Sequence, residues 1–263
     1  MTEAAGASAA ALARPVRRVT TDAPWLWLEK GWNDFRRAPA TGLAYGLVFT
    51  LASFAITLGL YALDLAVLIL PLAAGFALVA PFLAVGVYET SRRLESGEPV
   101  GFAATALAWR RAPGGLLMAG VMVMLFFLAW VRLATLLFAL FYGVETPGLS
   151  ALMGDMLFTP RGLAFLAVGS AIGAVLALVV FAISAVAFPF ILDRDVFVLA
   201  AIATSVVAVV RNPAPMLLWA FLIALFIAAG IVTAFLGLLI FFPLLGHATW
   251  HAYRDLVADA ARG

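Results

Sequence analysis

Two histidines, His247 and His251, are the residues of this chain best placed to do chemistry, and they lie four apart in Gly246-His247-Ala248-Thr249-Trp250-His251. On a helix that spacing puts both imidazoles on one face, a geometry able to ligate a metal. A tight site needs further ligands: Asp255 lies four residues on, and Glu89 could approach from another helix. Haem held between two helices would need its histidines on different helices, which this chain does not supply. The competing reading puts the pair at a membrane boundary beside Trp250 and Tyr253, bonded to headgroups or helix ends. We adopt it, so neither metal nor cofactor is expected. The chain has no cysteine, which removes disulfides, thiolate metal sites and thiol nucleophiles. It has no Gly-rich phosphate loop with lysine, no His-Glu-x-x-His and no Gly-x-Ser-x-Gly, and its serines and threonines have no histidine near them in sequence. No catalytic constellation is identifiable, and the chain is not expected to be an enzyme.

Two charged positions remain. Arg132 falls inside a long apolar run, where a cation is costly and raises the question of a partner. It either snorkels toward the nearer surface and pairs with Asp64 or Asp155, or binds a ligand. Glu89 precedes Arg92 and Arg93 at i+3 and i+4, the ordinary spacing of helix ion pairs.

The elements that position these residues are membrane helices. With 65% hydrophobic and 11% charged residues, the chain lies far outside soluble usage, where about 25% are charged. Apolar stretches cover 40–62, 65–88, 114–142, 162–192 and 214–252, against about 20 residues needed per span. The last is long enough for two crossings with a turn between Gly230 and Gly237, near Thr233, which makes six spans. Fourteen of the sixteen basic residues fall on one side of this pattern; Arg161 is opposite and Arg132 within a span. By the positive-inside rule both termini are expected to be cytoplasmic. The basic balance is therefore topological, and no nucleic acid is expected. Residues 1–20 read as a disordered cytoplasmic arm, 21–256 as one membrane domain and 257–263 as a short tail.

The domain reads as a threefold repeat, with units near 21–92, 98–192 and 195–256. Each has a basic residue, a spacer and a proline before a span: Arg37-Ala38-Pro39, Arg111-Ala112-Pro113 and Arg211-Asn212-Pro213. Each has a second proline in its returning helix, Pro81, Pro189 and Pro243, expected to kink it. The resulting class is all-α: six transmembrane helices as three hairpins, each preceded by an interfacial amphipathic helix. In the first of these, Trp25, Leu28, Trp32 and Phe35 make one apolar stripe, lying in the interface or packing on protein. Trp25, Trp32, Arg36, Arg37, Arg110, Arg111 and Arg211 are the expected headgroup contacts. Gly42-xxx-Gly46 and Gly169-xxx-Gly173 are expected to bring helices close within one chain.

Several segments carry a family resemblance: Thr21-Asp22-Ala23-Pro24-Trp25-Leu26-Trp27-Leu28, Gly31-Trp32-Asn33-Asp34-Phe35, Arg211-Asn212-Pro213 and Pro243 to His251. Through them the chain resembles, over roughly 18–256, bacterial integral membrane proteins grouped as domain of unknown function 2189. The resemblance implies a six-helix inner-membrane protein. Some relatives carry a label linking them to cytochrome c oxidase subunit I, whose metal and haem ligands two histidines cannot supply. The function expected is non-enzymatic: an accessory or assembly protein binding lipids, anionic headgroups in particular, and other inner-membrane proteins. The alternatives are a transporter or channel for a small neutral or apolar solute, and a haem- or metal-linked role in respiratory membranes.

Overall fold

The computed structural model describes residues 13–143 and 149–257. Among these the chain is all-helical, apart from one antiparallel bridge between Val16 and Val257. Twelve α-helices follow in order: α1 Ala23–Arg37, α2 Pro39–Ala62, α3 Ile69–Leu83, α4 Val85–Ser96, α5 Phe102–Thr105, α6 Pro113–Tyr142, α7 Leu149–Phe158, α8 Pro160–Ser184, α9 Ala187–Arg194, α10 Val198–Arg211, α11 Pro213–Val232 and α12 Leu238–Leu256.

The three Arg-x-Pro sites share a backbone geometry. The spacer residues of the three Arg-x-Pro sites adopt one conformation: φ −132°, ψ 54° at Ala38, φ −141°, ψ 63° at Ala112 and φ −128°, ψ 55° at Asn212. A residue before proline is barred from the α region, so the preceding helix must stop there. The proline then opens the next helix at a position whose N–H has no helical partner anyway. Each spacer carbonyl accepts the first bond of the new helix, from Gly42 at 3.0 Å, Leu116 at 2.9 Å and Met216 at 3.0 Å. The elements ahead of the three sites are less alike. α1 has fifteen residues, the second unit has only the four-residue α5 and a 3-10 turn over Ala108–Arg111, and α10 is buried along Ala201, Thr204, Ser205 and Ala208.

Five helical stretches are long and apolar enough to cross a membrane: Pro39–Ala62, Ala66–Ser96, Pro113–Tyr142, Pro160–Arg194 and Pro213–Val232. The expected sixth, α12, is not among them. Only Leu238–Leu245 is continuously apolar, eight residues or about 12 Å of helix, before His247, His251, Arg254 and Asp255. The turn between α11 and α12 lies beside Thr50, whose hydroxyl donates to Phe235 O at 3.2 Å, and Thr50 is the twelfth of the 24 residues of α2. The hairpin tip thus stands level with the middle of α2. Gly46 makes this approach possible, since a Cβ there would collide with the Leu239 backbone; the first GxxxG pair packs α2 on α12 within the chain.

The core sits at the basic end of the bundle. Its largest fully buried side chains include Trp27, Leu116, Phe188, Phe190, Met216, Trp219, Trp250 and Tyr253. The outer surfaces of α2, α6 and α8 instead expose leucines and valines, a surface suited to lipid. The segment preceding α1 belongs to the core end. Residues 1–12 lie outside the described residues, but 13–20 are not a free arm. Arg17 N donates to Leu256 O at 2.8 Å and Arg14 N to Thr204 Oγ1 at 3.0 Å, so the segment pairs with the end of α12. Both described ends of the chain therefore share one end of the bundle. Short hydrogen-bonded extended pieces give no periodic signal, which is why the sequence reads there as an arm.

Candidate functional site

The basic end carries the expected headgroup residues. Trp25, Trp32, Arg36, Arg37, Arg110, Arg111 and Arg211 are all exposed. The expected apolar stripe of α1 is divided, however. Trp25 and Trp32 face outward while the helix buries Trp27, Gly31, Asp34 and Phe35. Gly31 sets that rotation: a Cβ would come within 2.7 Å of Ala248 N, so glycine lets α1 lie directly on α12. Part of the arginine charge turns inward. Arg37 is 3.9 Å from Asp34 and Arg111 3.7 Å from Glu89, and Arg211 donates to Val16 O at 3.3 Å. Arg36 bonds Asn33, and Arg110 lies over the Trp109 ring.

Glu89 is fully buried and holds two guanidinium groups directly. Its oxygens accept from Arg92 Nε at 2.7 Å, Arg92 Nη2 at 3.0 Å and Arg93 Nε at 2.7 Å. Arg92 reaches on to Glu98 through Nη1 at 2.8 Å and Nη2 at 2.9 Å. The i+3 and i+4 pairs are therefore the inner part of a network that ties α4 to the loop ahead of α6, where Arg111 closes it.

The histidines are inside the protein rather than against headgroups. His247 is fully buried, with Nδ1 2.7 Å from Ser91 Oγ on α4 and, among the described residues, no hydrogen-bond partner for Nε2. His251 Nε2 lies 2.8 Å from Asp34 Oδ2 on α1. Asp255 takes a hydrogen bond from Trp27 Nε1 at 3.1 Å, and Trp250 Nε1 donates to Glu95 at 3.0 Å. The four candidate ligands thus turn to different partners, and no group of three or more metal-ligating side chains converges among the described residues. Burial pushes His247 down to about 4, against the pull of Asp34. Burial by itself would raise the Asp34 carboxyl, but hydrogen bonds from His251 and Ser91 hold it below its ordinary value. Ser91, His247 and Asp34 have the members of a nucleophile triad without its order. Ser91 Oγ meets His247 Nδ1, but Asp34 pairs with His251 Nε2, not the far nitrogen of His247, and Ser91 is itself buried.

Arg132 is exposed on α6 and has no ion-pair partner among the described residues. The expected pairing with Asp155 is replaced by Arg161, at 3.0 Å. Asp64 instead sits at positive φ (57°) in the turn after α2. The inner prolines occupy unlike places. Pro81 lies three residues before the break at Ala84 that separates α3 from α4. Pro189 falls in the first turn of α9, after the break at Val186, where its missing donor costs nothing. Pro243 sits inside α12, which runs unbroken.

A cavity of about 580 Å³ lies between α3, α8, α11 and α12, almost wholly apolar, with Tyr88, Ser184 and Thr249 toward the basic end. Alanines make it: Ala73, Ala77, Ala80 and Ala84 along α3 and its end, and Ala220, Ala224 and Ala228 along α11. Their spacing of three to four marks one face of each helix. Both alanine periodicities are legible in the sequence.

No curated protein and no solved structure matches the chain. A family model matches residues 69–193, from the first residue of α3 to the penultimate residue of α9. The segments at 21–35, 211–213 and 243–251 that carry the resemblance in sequence lie outside that match, which rests on the middle of the chain. Over those central residues the chain resembles the family described as "Predicted integral membrane protein (DUF2189)", and it is an integral membrane protein.

Proposed function

We propose that the chain is a non-enzymatic protein of the bacterial inner membrane that binds anionic lipid through its basic end, acting as an accessory or assembly factor for other membrane proteins. In this reading the basic end and both termini face the cytoplasm, as the charge asymmetry favours. The observation that carries it is the exposure of Trp25, Trp32, Arg36, Arg37, Arg110, Arg111 and Arg211 beside the starts of α2, α6 and α11. Indole at headgroup depth and guanidinium against phosphate are the two contacts such a surface offers, worth about 1 kcal/mol per cation at an anionic leaflet. Native mass spectrometry in mixed anionic and zwitterionic lipid tests it. The wild-type chain retains anionic lipid preferentially, and replacing Arg36, Arg37, Arg110, Arg111 and Arg211 by Gln abolishes the preference. An unchanged preference removes this reading.

One observation favours a second reading, a carrier for a small neutral or apolar solute: the apolar cavity between α3, α8, α11 and α12. Flux of such a solute across proteoliposomes, lost when the cavity is filled, is its test.

A further inference from the structure

The cavity between α3, α8, α11 and α12 has properties that specify what would occupy it. Helices of a membrane bundle pack by van der Waals contact, and a void forfeits it. Here small side chains line the facing surfaces of several helices and leave about 580 Å³ unfilled among them. That volume lies in the range of small-molecule sites, roughly 300–1,000 Å³. Among the described residues no Asp, Glu, Lys, Arg or His lines it, so a charged occupant would be desolvated without a counter-ion. The mouth faces sideways. Leu178 on α8 and Leu217 and Phe221 on α11 line the cavity yet remain 47%, 55% and 61% exposed, on helices long and apolar enough to cross the bilayer.

The interior is polarised along the bundle axis. Ala73, Ile231 and Leu238 close one end, level with the hairpin turn. At the other, the Ser184 hydroxyl donates to Val180 O at 2.6 Å and that of Thr249 to Leu245 O at 2.8 Å, which leaves each oxygen only lone pairs to offer. Tyr88 is 2% exposed, lines the cavity, and its hydroxyl has no hydrogen-bond partner among the described residues. The pole thus supplies the Tyr88 hydroxyl as a donor amid acceptors, and Trp219, whose buried Nε1 also lacks a hydrogen-bond partner among the described residues, lines the same cavity.

We propose that this cavity binds one uncharged lipid with a long apolar chain ending in a hydroxyl or carbonyl oxygen. It enters from the bilayer between α8 and α11, with the oxygen at Tyr88 and the chain running toward the α11–α12 turn. The inference deepens the lipid-binding reading and rests on the chain's being a lipid-binding membrane protein, but on residues other than the headgroup arginines.

The test uses the full chain in phosphatidylcholine vesicles with a diazirine-bearing long-chain alcohol, and peptide mapping of the photolabel. Label is expected on peptides of α3, α8 and α11 that line the cavity. Ala224→Phe, which fills it, reduces that label about tenfold, the loss expected for about 1.4 kcal/mol of affinity. Tyr88→Phe reduces it about fivefold, by removing one hydrogen bond. Ala228→Leu and Tyr88→Phe decide the matter should Ala224→Phe fail to fold. Label spread evenly over lipid-facing helices, and unchanged in these variants, overturns the proposal. Equal competition by the corresponding fatty acid carboxylate at pH 7.5 overturns the uncharged class. The fivefold arginine variant is expected to keep the cavity label, so loss of anionic preference and loss of cavity label are read separately.

Discussion

Asn212 Oδ1 accepts a hydrogen bond from Val19 N at 2.9 Å while its Nδ2 donates to Arg17 O at 3.1 Å. The third Arg-x-Pro site thus does something that the other two do not. Its backbone matches that of Ala38 and Ala112, so the helix break needs no asparagine; the side chain is free to hold the segment before α1. Because Asn212 is buried, removing it leaves backbone groups of Val19 and Arg17 without partners. Asn212→Ala is expected to destabilise the protein by about 2 kcal/mol and to open residues 13–20 to protease, with α11 intact. Thermal unfolding in detergent and limited proteolysis measure both, and an unchanged midpoint refutes the role.

His247 sets a pH dependence whose sign follows from its burial. Its folded value of about 4 lies below the ordinary 6.5, so the unfolded chain takes up a proton that the folded protein refuses. Stability is therefore full above about pH 6.5 and declines down to about pH 4, by roughly 3 kcal/mol in all. Asp34 acts lower. Its carboxyl, held below 3.8, contributes stability that is lost only as the pH falls beneath that value. Glu89 and Glu98, both held below 4.5, act only toward the bottom of that range, so the interval between pH 6.5 and about 5 belongs to His247. Melting at pH 7.5 and pH 5 should differ in the wild type and much less in His247→Gln; equal slopes would reject the assignment.

Glu89 and Glu98 both bind Arg92, but Glu89 is buried whereas the Glu98 side chain is 40% exposed. Glu89→Gln leaves Arg92, Arg93 and Arg111 converging without their shared counter-charge. Breaking a buried pair in this way costs about 3–5 kcal/mol. Glu98→Gln removes a screened surface contact and should shift the melting midpoint far less. The ranking of the two is the measurement, and a larger effect at Glu98 would show that the network is organised from outside.

Much of the architecture was legible because membrane helices and their breaks are local signals. Arg-x-Pro fixed where α2, α6 and α11 begin, since a pre-proline residue cannot remain helical, and the three spacers indeed share one conformation. What could not be read was rotation and depth. The α1 stripe is apolar on two overlapping faces, and Gly31 against Ala248, a contact 217 residues apart in sequence, decides that Trp27 rather than Trp25 goes inside. Nor does an apolar run of 39 residues state how deep its turn lies; Thr50 and Phe235 settle that only once they meet. The histidines failed for the same reason. Four-residue spacing puts them on one helix face, but α4 and α1 meet that face separately and divide the pair between Ser91 and Asp34.

Thr50 provides the sharpest test of that depth. Its hydroxyl caps Phe235 O in a turn where Ala234 and Phe235 both hold positive φ, 49° and 66°, which non-glycine residues adopt only when their surroundings impose it. Within the turn, Thr233 Oγ1 accepts from Gly237 N at 2.9 Å, so polar groups are satisfied internally. Irregular backbone surrounded by lipid requires such satisfaction; backbone in water does not, because water replaces any lost partner. Thr50→Val keeps the side chain's shape and removes only the donor. With the turn at mid-span the expected cost is about 1–3 kcal/mol; with the turn in water it is close to nothing. The chain has no cysteine, so a single Ala234→Cys gives a second reading of the same depth. A membrane-impermeant maleimide should leave it unlabelled from either side of the bilayer. Ready labelling together with a neutral Thr50→Val would place the turn at a surface and make α12 a complete crossing.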